Sequence, residues 1–150
     1  VNKKLKITTI SLTLSPNNLP PILSIDPGAT NSAIASTNPP LATQILYDLN
    51  GKKLIDTLHF IFSLYKFQTI LIENFNFYAP RKYAVTTPII IGKILMLAEL
   101  YKIPTELINK PKTLLVPPIE FPHIADALNL IFHYFKKKKI KIELLDYKIV

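Results

Sequence analysis

The sequence predicts an α/β domain: a five-stranded mixed sheet flanked by helices. Three observations carry this. Two apolar runs that each end in an acid, ILSID closing at Asp26 and TILIE closing at Glu73, read as strands, the second as an interior strand covered on both faces. Three other stretches repeat apolar residues at helical spacing. Proline pairs at 20–21, 39–40 and 117–118 punctuate the chain between periodic segments. At 150 residues and 49% hydrophobic, the chain has enough apolar side chain to fill a sizeable core without a second domain.

The elements follow in order. Residues 1–20 read as an N-terminal arm or an extra edge strand, because the threonines and serines of VNKKLKITTISLTLS make a poor signal-peptide core. Residues 21–150 form the domain proper. Its first three strands, at 22–26, 32–37 and 43–48, meander, and Asn50-Gly51 is a turn before a helix. In that helix, over 52–66, Leu54, Leu58, Ile61 and Tyr65 share a face. A fourth strand occupies 69–74. The helix at 88–103 carries isoleucine or leucine on nearly every side, more than one core contact would use. A fifth strand at 104–109 and a proline-rich connection precede the last helix, His123 to Phe135, whose core stripe is Ile124, Ala127, Leu128, Ile131 and Phe135.

Composition narrows the function. Eighteen basic against 10 acidic residues, a net charge of +8, favour a polyanionic partner such as nucleic acid or an acidic membrane surface. With no cysteine there are no disulfides, thiolate metal sites or cysteine nucleophiles, which fits a reducing compartment, cytoplasmic or organellar, rather than secretion. The apolar stretch near 88–101 is interrupted by Lys93 and Glu99, so no membrane span is expected.

Asp26, Glu73 and Asp126 stand at comparable places: two strand ends and the first turn of a helix. Ligands bind at such edges of α/β sheets. His123 precedes Asp126 by one helical turn on the same face, opposite the apolar stripe. Two strand carboxylates with a His-x-x-Asp helix start form a hard, oxygen-rich donor set that suits Mg²⁺, with Mn²⁺ as a substitute. Taken singly, Asp26 before Pro-Gly is a turn former and Asp126 a helix-dipole partner; together they point to a metal site.

The order IDPG, then LIEN, then HIADALNL resembles the RuvC-type Holliday-junction resolvases of the RNase H-like superfamily, from about Ile22 to Phe135. The resemblance implies an RNase H-like fold and a Mg²⁺-dependent endonuclease that hydrolyses branched DNA with two metal ions. It makes Asp26, Glu73 and Asp126 metal ligands, and His123 a ligand or a water-positioning group. The interval between Lys112 and His123 is short where bacterial members fit another helix, as in a trimmed viral or organellar version. Either Lys110 or Lys112 resembles the family's phosphate-contacting lysine. In ENFNFYAPRKYA, Phe75 or Phe77 is a candidate wedge for the junction centre, and Arg81 and Lys82 are candidate DNA contacts. Lys136–Lys139 and Lys141 would add salt-sensitive backbone contacts. A two-fold symmetric junction cut on opposing strands implies a homodimer, with the helix at 88–103 as its seam.

Two rival readings remain: an RNase H-like nuclease on another DNA or RNA substrate, and a non-catalytic nucleic-acid-binding module. DPGATNSAIA also resembles the first phosphate loop of actin-like ATPases, but glycines at only 28, 51 and 92 leave no second glycine-rich loop. His59 and His133 read as surface or core-edge residues.

Overall fold

The computed structural model describes residues 3–75 and 85–150. Its elements are β1 (Lys6–Ser15), β2 (Ile22–Asp26), β3 (Asn31–Ser36), β4 (Leu41–Leu46), α1 (Lys52–Leu64), β5 (Thr69–Glu73), α2 (Thr86–Leu100), β6 (Thr105–Ile108), α3 (Pro122–Lys137) and β7 (Glu143–Ile149). They form one mixed sheet in the order β6-β5-β2-β3-β4-β1-β7. The β6, β5 and β2 strands are parallel, and every other neighbouring pair is antiparallel.

The expected mixed α/β sheet is present, but it has seven strands rather than five. The additional pair, β1 and β7, brings the two ends of the chain together. In β1, Ile10, Leu12 and Leu14 are buried while Ser11 and Thr13 turn the other way, the alternation of a strand with one covered face. β7 is harder to read because it is an edge strand with no fully buried residue, so burial imposes no clean period on its sequence. Its pairing is supplied by β1, from the far end of the chain.

Alternation in the central strands sends residues to two cores. Leu23, Ile25, Ile34, Ile45, Ile70 and Ile72 pack against α1 and α2 through Leu54, Leu58, Phe62, Ile90 and Ile94. Ile22, Ala33, Ala35, Ala42 and Leu71 meet α3 through Ala127, Leu128, Ile131 and Phe135. On this second face small residues line the centre, and the fully buried Ser24 hydroxyl donates to the Ala127 carbonyl at 2.6 Å. That bond ties the first turns of α3 directly to β2. Among the described residues no helix is long and apolar enough to cross a membrane.

The helix α1 has a cap that its flanking Gly51 cannot supply. The buried Asp48 carboxylate accepts from the Lys53 and Leu54 amides at 2.8 and 2.9 Å, satisfying two of the donors left open at a helix start. Asp48→Ala should therefore lower stability by about 1–2 kcal/mol in denaturant unfolding. Asp48→Asn, which keeps one acceptor oxygen, should lose less.

Candidate active site

The parallel register of β2 and β5 builds the site. Ser24 pairs with Leu71 and Ile25 with Ile72, so one step further Asp26 stands level with Glu73. Each lies two residues beyond a residue of the α3 face, Ser24 and Leu71 respectively, so both carboxyls emerge on that face where the strands end. β2 closes with a tight turn in which a Cβ on Gly28 would come within 2.1 Å of the Asn31 carbonyl oxygen, so only glycine fits there.

Asp26 and Glu73 share a side-chain hydrogen bond. Burial is the largest influence on the Asp26 carboxyl, followed by the Glu73 hydrogen bond and charge and by the charge of Asp126; Lys110 offsets them only in part. Together they push its pKa from 3.8 up to about 9. At neutral pH, Asp26 thus holds its proton, which removes its repulsion with Glu73.

Asp126, in the second turn of α3, acts on Asp26 through its charge. Its Oδ2 lies 4.0 Å from the Lys110 Nζ, with both side chains partly exposed. Lys110 arrives because β6 pairs Ile108 with Glu73, so the chain leaves the sheet beside the acids. Lys112 is exposed and makes no ion pair among the described residues. His123 sits half-buried in the first turn of α3 with its backbone amide 3.3 Å from the Gln44 Oε1. Its ring makes no hydrogen bond among the described residues, and it is not one of the groups acting on Asp26.

Phe75 packs partly buried against the core shared with α1 and α2, the layer opposite α3. Phe77, Arg81 and Lys82 lie outside the described residues. His59 bonds through Nδ1 to the Tyr101 hydroxyl at 2.9 Å, and His133 Nε2 donates to the Thr113 carbonyl at 2.8 Å.

Three supporting residues escape sequence reasoning. Ser24 and Gln44 fasten the start of α3 to β2 and β4. Asn129, buried one turn beyond Asp126, accepts from the Leu115 amide at 2.8 Å and donates to the Thr113 carbonyl at 3.0 Å, fixing the connection that carries Lys110. The available signal was a lone polar residue inside an apolar run: Ser24 in ILSID, Gln44 in TQIL and Asn129 in ALNLIF.

The donor chemistry of the pair fits a hard divalent cation, since two adjoining carboxyls with a third acid nearby lack positive charge. The set is not closed: among the described residues no group of three or more histidine, aspartate or glutamate side chains converges closely enough to hold a metal ion. What exists is a hydrogen-bonded pair, with Asp126 within electrostatic reach and drawn toward Lys110.

No family model and no curated protein matches the chain. Among solved structures it is similar to Thermus thermophilus RuvC in complex with a Holliday junction substrate, with TM-score 0.60 and 14% identity, covering 85% of this chain and 100% of that one. A second T. thermophilus RuvC structure gives TM-score 0.54 and 14% identity over 83% of this chain and 99% of that one. The fowlpox virus Holliday junction resolvase gives 0.50 and 15% over 78% and 99%. At such identities the likeness shows the fold: this chain has the RuvC-like form of the RNase H fold.

The raised Asp26 pKa sets a pH dependence. With metal chelated, the folded state retains a proton that the unfolded chain releases near pH 4, so the stabilisation is complete below that pH and drains away as pH rises toward about 9. Thermal melts in chelator should fall across that window. Asp26→Asn, which never ionises, should flatten the profile and melt above the parent at about pH 8.

Proposed function

We propose that the protein is a structure-specific endonuclease that cuts branched DNA, four-way junctions among them, by divalent-cation-dependent phosphodiester hydrolysis. The observation that carries this reading is the Asp26–Glu73 carboxyl pair, held level at the ends of adjacent parallel strands with Asp126 acting on it from α3. The fold likeness to RuvC and the net charge of +8 support it.

Asp26, Glu73 and Asp126 would hold the Mg²⁺ ions, with Mn²⁺ as substitute and His123 as a further ligand or a group that positions water. When bound, the cations supply Lewis-acid stabilisation of phosphoryl charge and a nucleophile at neutral pH. The chain's own part begins with the Asp26 proton, which must leave for the carboxyl to bind a cation, so affinity rises with pH. Lys110 brings a positive charge to the outer side of Asp126, where a phosphate would approach. Asn129 keeps the connection bearing that lysine in place.

Opposed nicks in a two-fold symmetric substrate call for two copies. The outward side of α2 supplies an apolar surface for pairing: Ile89, Met96 and Leu100 are 55%, 73% and 72% exposed. Such a row of large apolar side chains is the kind of surface that a second copy would cover.

Asp26→Asn and Asp126→Asn should each reduce Mg²⁺-dependent nicking of a synthetic four-way junction at least about a hundredfold, while junction binding persists. Nicking retained by either variant would refute the assignment. In sedimentation at micromolar concentration the parent chain should run as a dimer, and Met96→Lys with Leu100→Lys as a monomer.

A further inference from the structure

A cavity of about 660 Å³ lies away from the acids. It lies at the same end of the strands but on the α1 and α2 side of the sheet, opposite the face on which the acids emerge. Lys6 pairs with Leu46, Leu46 with Asn31 and Ala33 with Asp26, so the start of β1 and the end of β4 share the edge at which β2 and β5 end. From β2 to β1 is three strand spacings, roughly 14 Å at about 4.8 Å each.

This stretch of edge is basic. Lys52, Lys53 and Lys93 line the cavity from α1 and α2, and Lys3, Lys4 and Lys6 leave from the start of β1 beside it. All six are exposed, and none is in an ion pair among the described residues. Two carboxylates also line the cavity. Asp48 is spent on the α1 amides, which leaves the exposed Asp56 as the one open counter-charge in its lining.

Between the two groups of lysines stands Tyr47, in the left-handed region at φ 61°. A tyrosine there is strained, and strain of this kind persists only where surrounding bonds hold it. The Asn31 Oδ1 accepts from the Tyr47 amide at 3.2 Å, and the Asp48 amide donates to the Thr30 carbonyl at 2.8 Å. The residue is 40% exposed, its ring centroid lies 5.0 Å from the Lys3 Nζ, and Leu49, two residues on, is 76% exposed. Asn31 opens the strand that follows the Asp26 turn, so the catalytic turn and the tyrosine are braced by the same residue.

We infer that this basic edge, from the start of β1 across Tyr47 to Lys52 and Lys53, is a second nucleic-acid contact that holds the phosphate backbone of a substrate arm. The inference rests on the proposed nuclease reading for its substrate, and extends it to a surface separate from the acids. Tyr47 adds a face for the sugar or an unpaired base.

The test is fluorescence anisotropy of a labelled four-way junction across a salt series, with Mg²⁺ replaced by chelator. Lys52→Ala with Lys53→Ala should lower the slope of log affinity against log salt by about two. Tyr47→Asn, which tolerates the left-handed φ, should weaken binding without altering that slope. Lys66→Ala with Lys102→Ala removes the same charge from the opposite edge and should leave the slope at its parental value. An unchanged slope in the first pair, an equal fall in the second, or parental affinity in Tyr47→Asn overturns the inference. So does a parent chain that binds anionic vesicles but not DNA. A parent chain that binds the junction with this lysine dependence, yet does not nick it when Mg²⁺ is restored, overturns the catalytic reading and leaves the surface standing.

Discussion

Two carboxyl groups that would repel one another in water are held side by side by the pairing of β2 with β5. The ladder leaves no freedom: once Ile25 is level with Ile72, Asp26 must stand beside Glu73. Burial then makes the doubly ionised state expensive, and the pair accommodates by keeping a proton on Asp26. A site strained in this way is relieved by any positive charge brought to it. Lys110 supplies part of that charge from β6, and a divalent cation would supply more.

Most of the remaining architecture serves to bring α3 to this pair at a fixed height. Small residues on β2 and β3 let the helix approach, and Ser24 and Gln44 hold its first turns to the sheet. Each is a buried polar group whose bond must be made, because an unsatisfied donor or acceptor in that layer would be costly. Asn129 does the same for the connection on the other side of α3. The position of Asp126 is thus set by polar contacts within an apolar interface, while the apolar contacts provide the adhesion. The opposite layer packs α1 and α2 onto the sheet through an almost wholly apolar core, with large apolar side chains exposed on the outward side of α2.

Much of this was legible in the chain itself. The apolar runs ending at Asp26 and Glu73 mark strands because only a covered strand needs that pattern, and the stripe from Ile124 to Phe135 marks α3 because only a helix repeats at that spacing. Proline and glycine placed the breaks. β1 and β7 were not legible as a pair: an edge strand needs no burial period, and nothing local says which distant strand it will join. The choice between Lys110 and Lys112 was equally open, since both follow the same strand, and nothing local says that Gln44 of a distant strand receives the His123 amide.

The sequence by itself determined which segments become strands and helices and which three acids stand at their ends, because periodicity and punctuation are local properties. Tertiary structure alone decided that Asp26 is buried beside Glu73, that Asp126 turns to Lys110, and that a basic stretch with a strained tyrosine lies at the same end of the strands. Those outcomes depend on strand register, on the rotation of α3 over the sheet and on burial. All three are set by contacts between residues far apart in the chain.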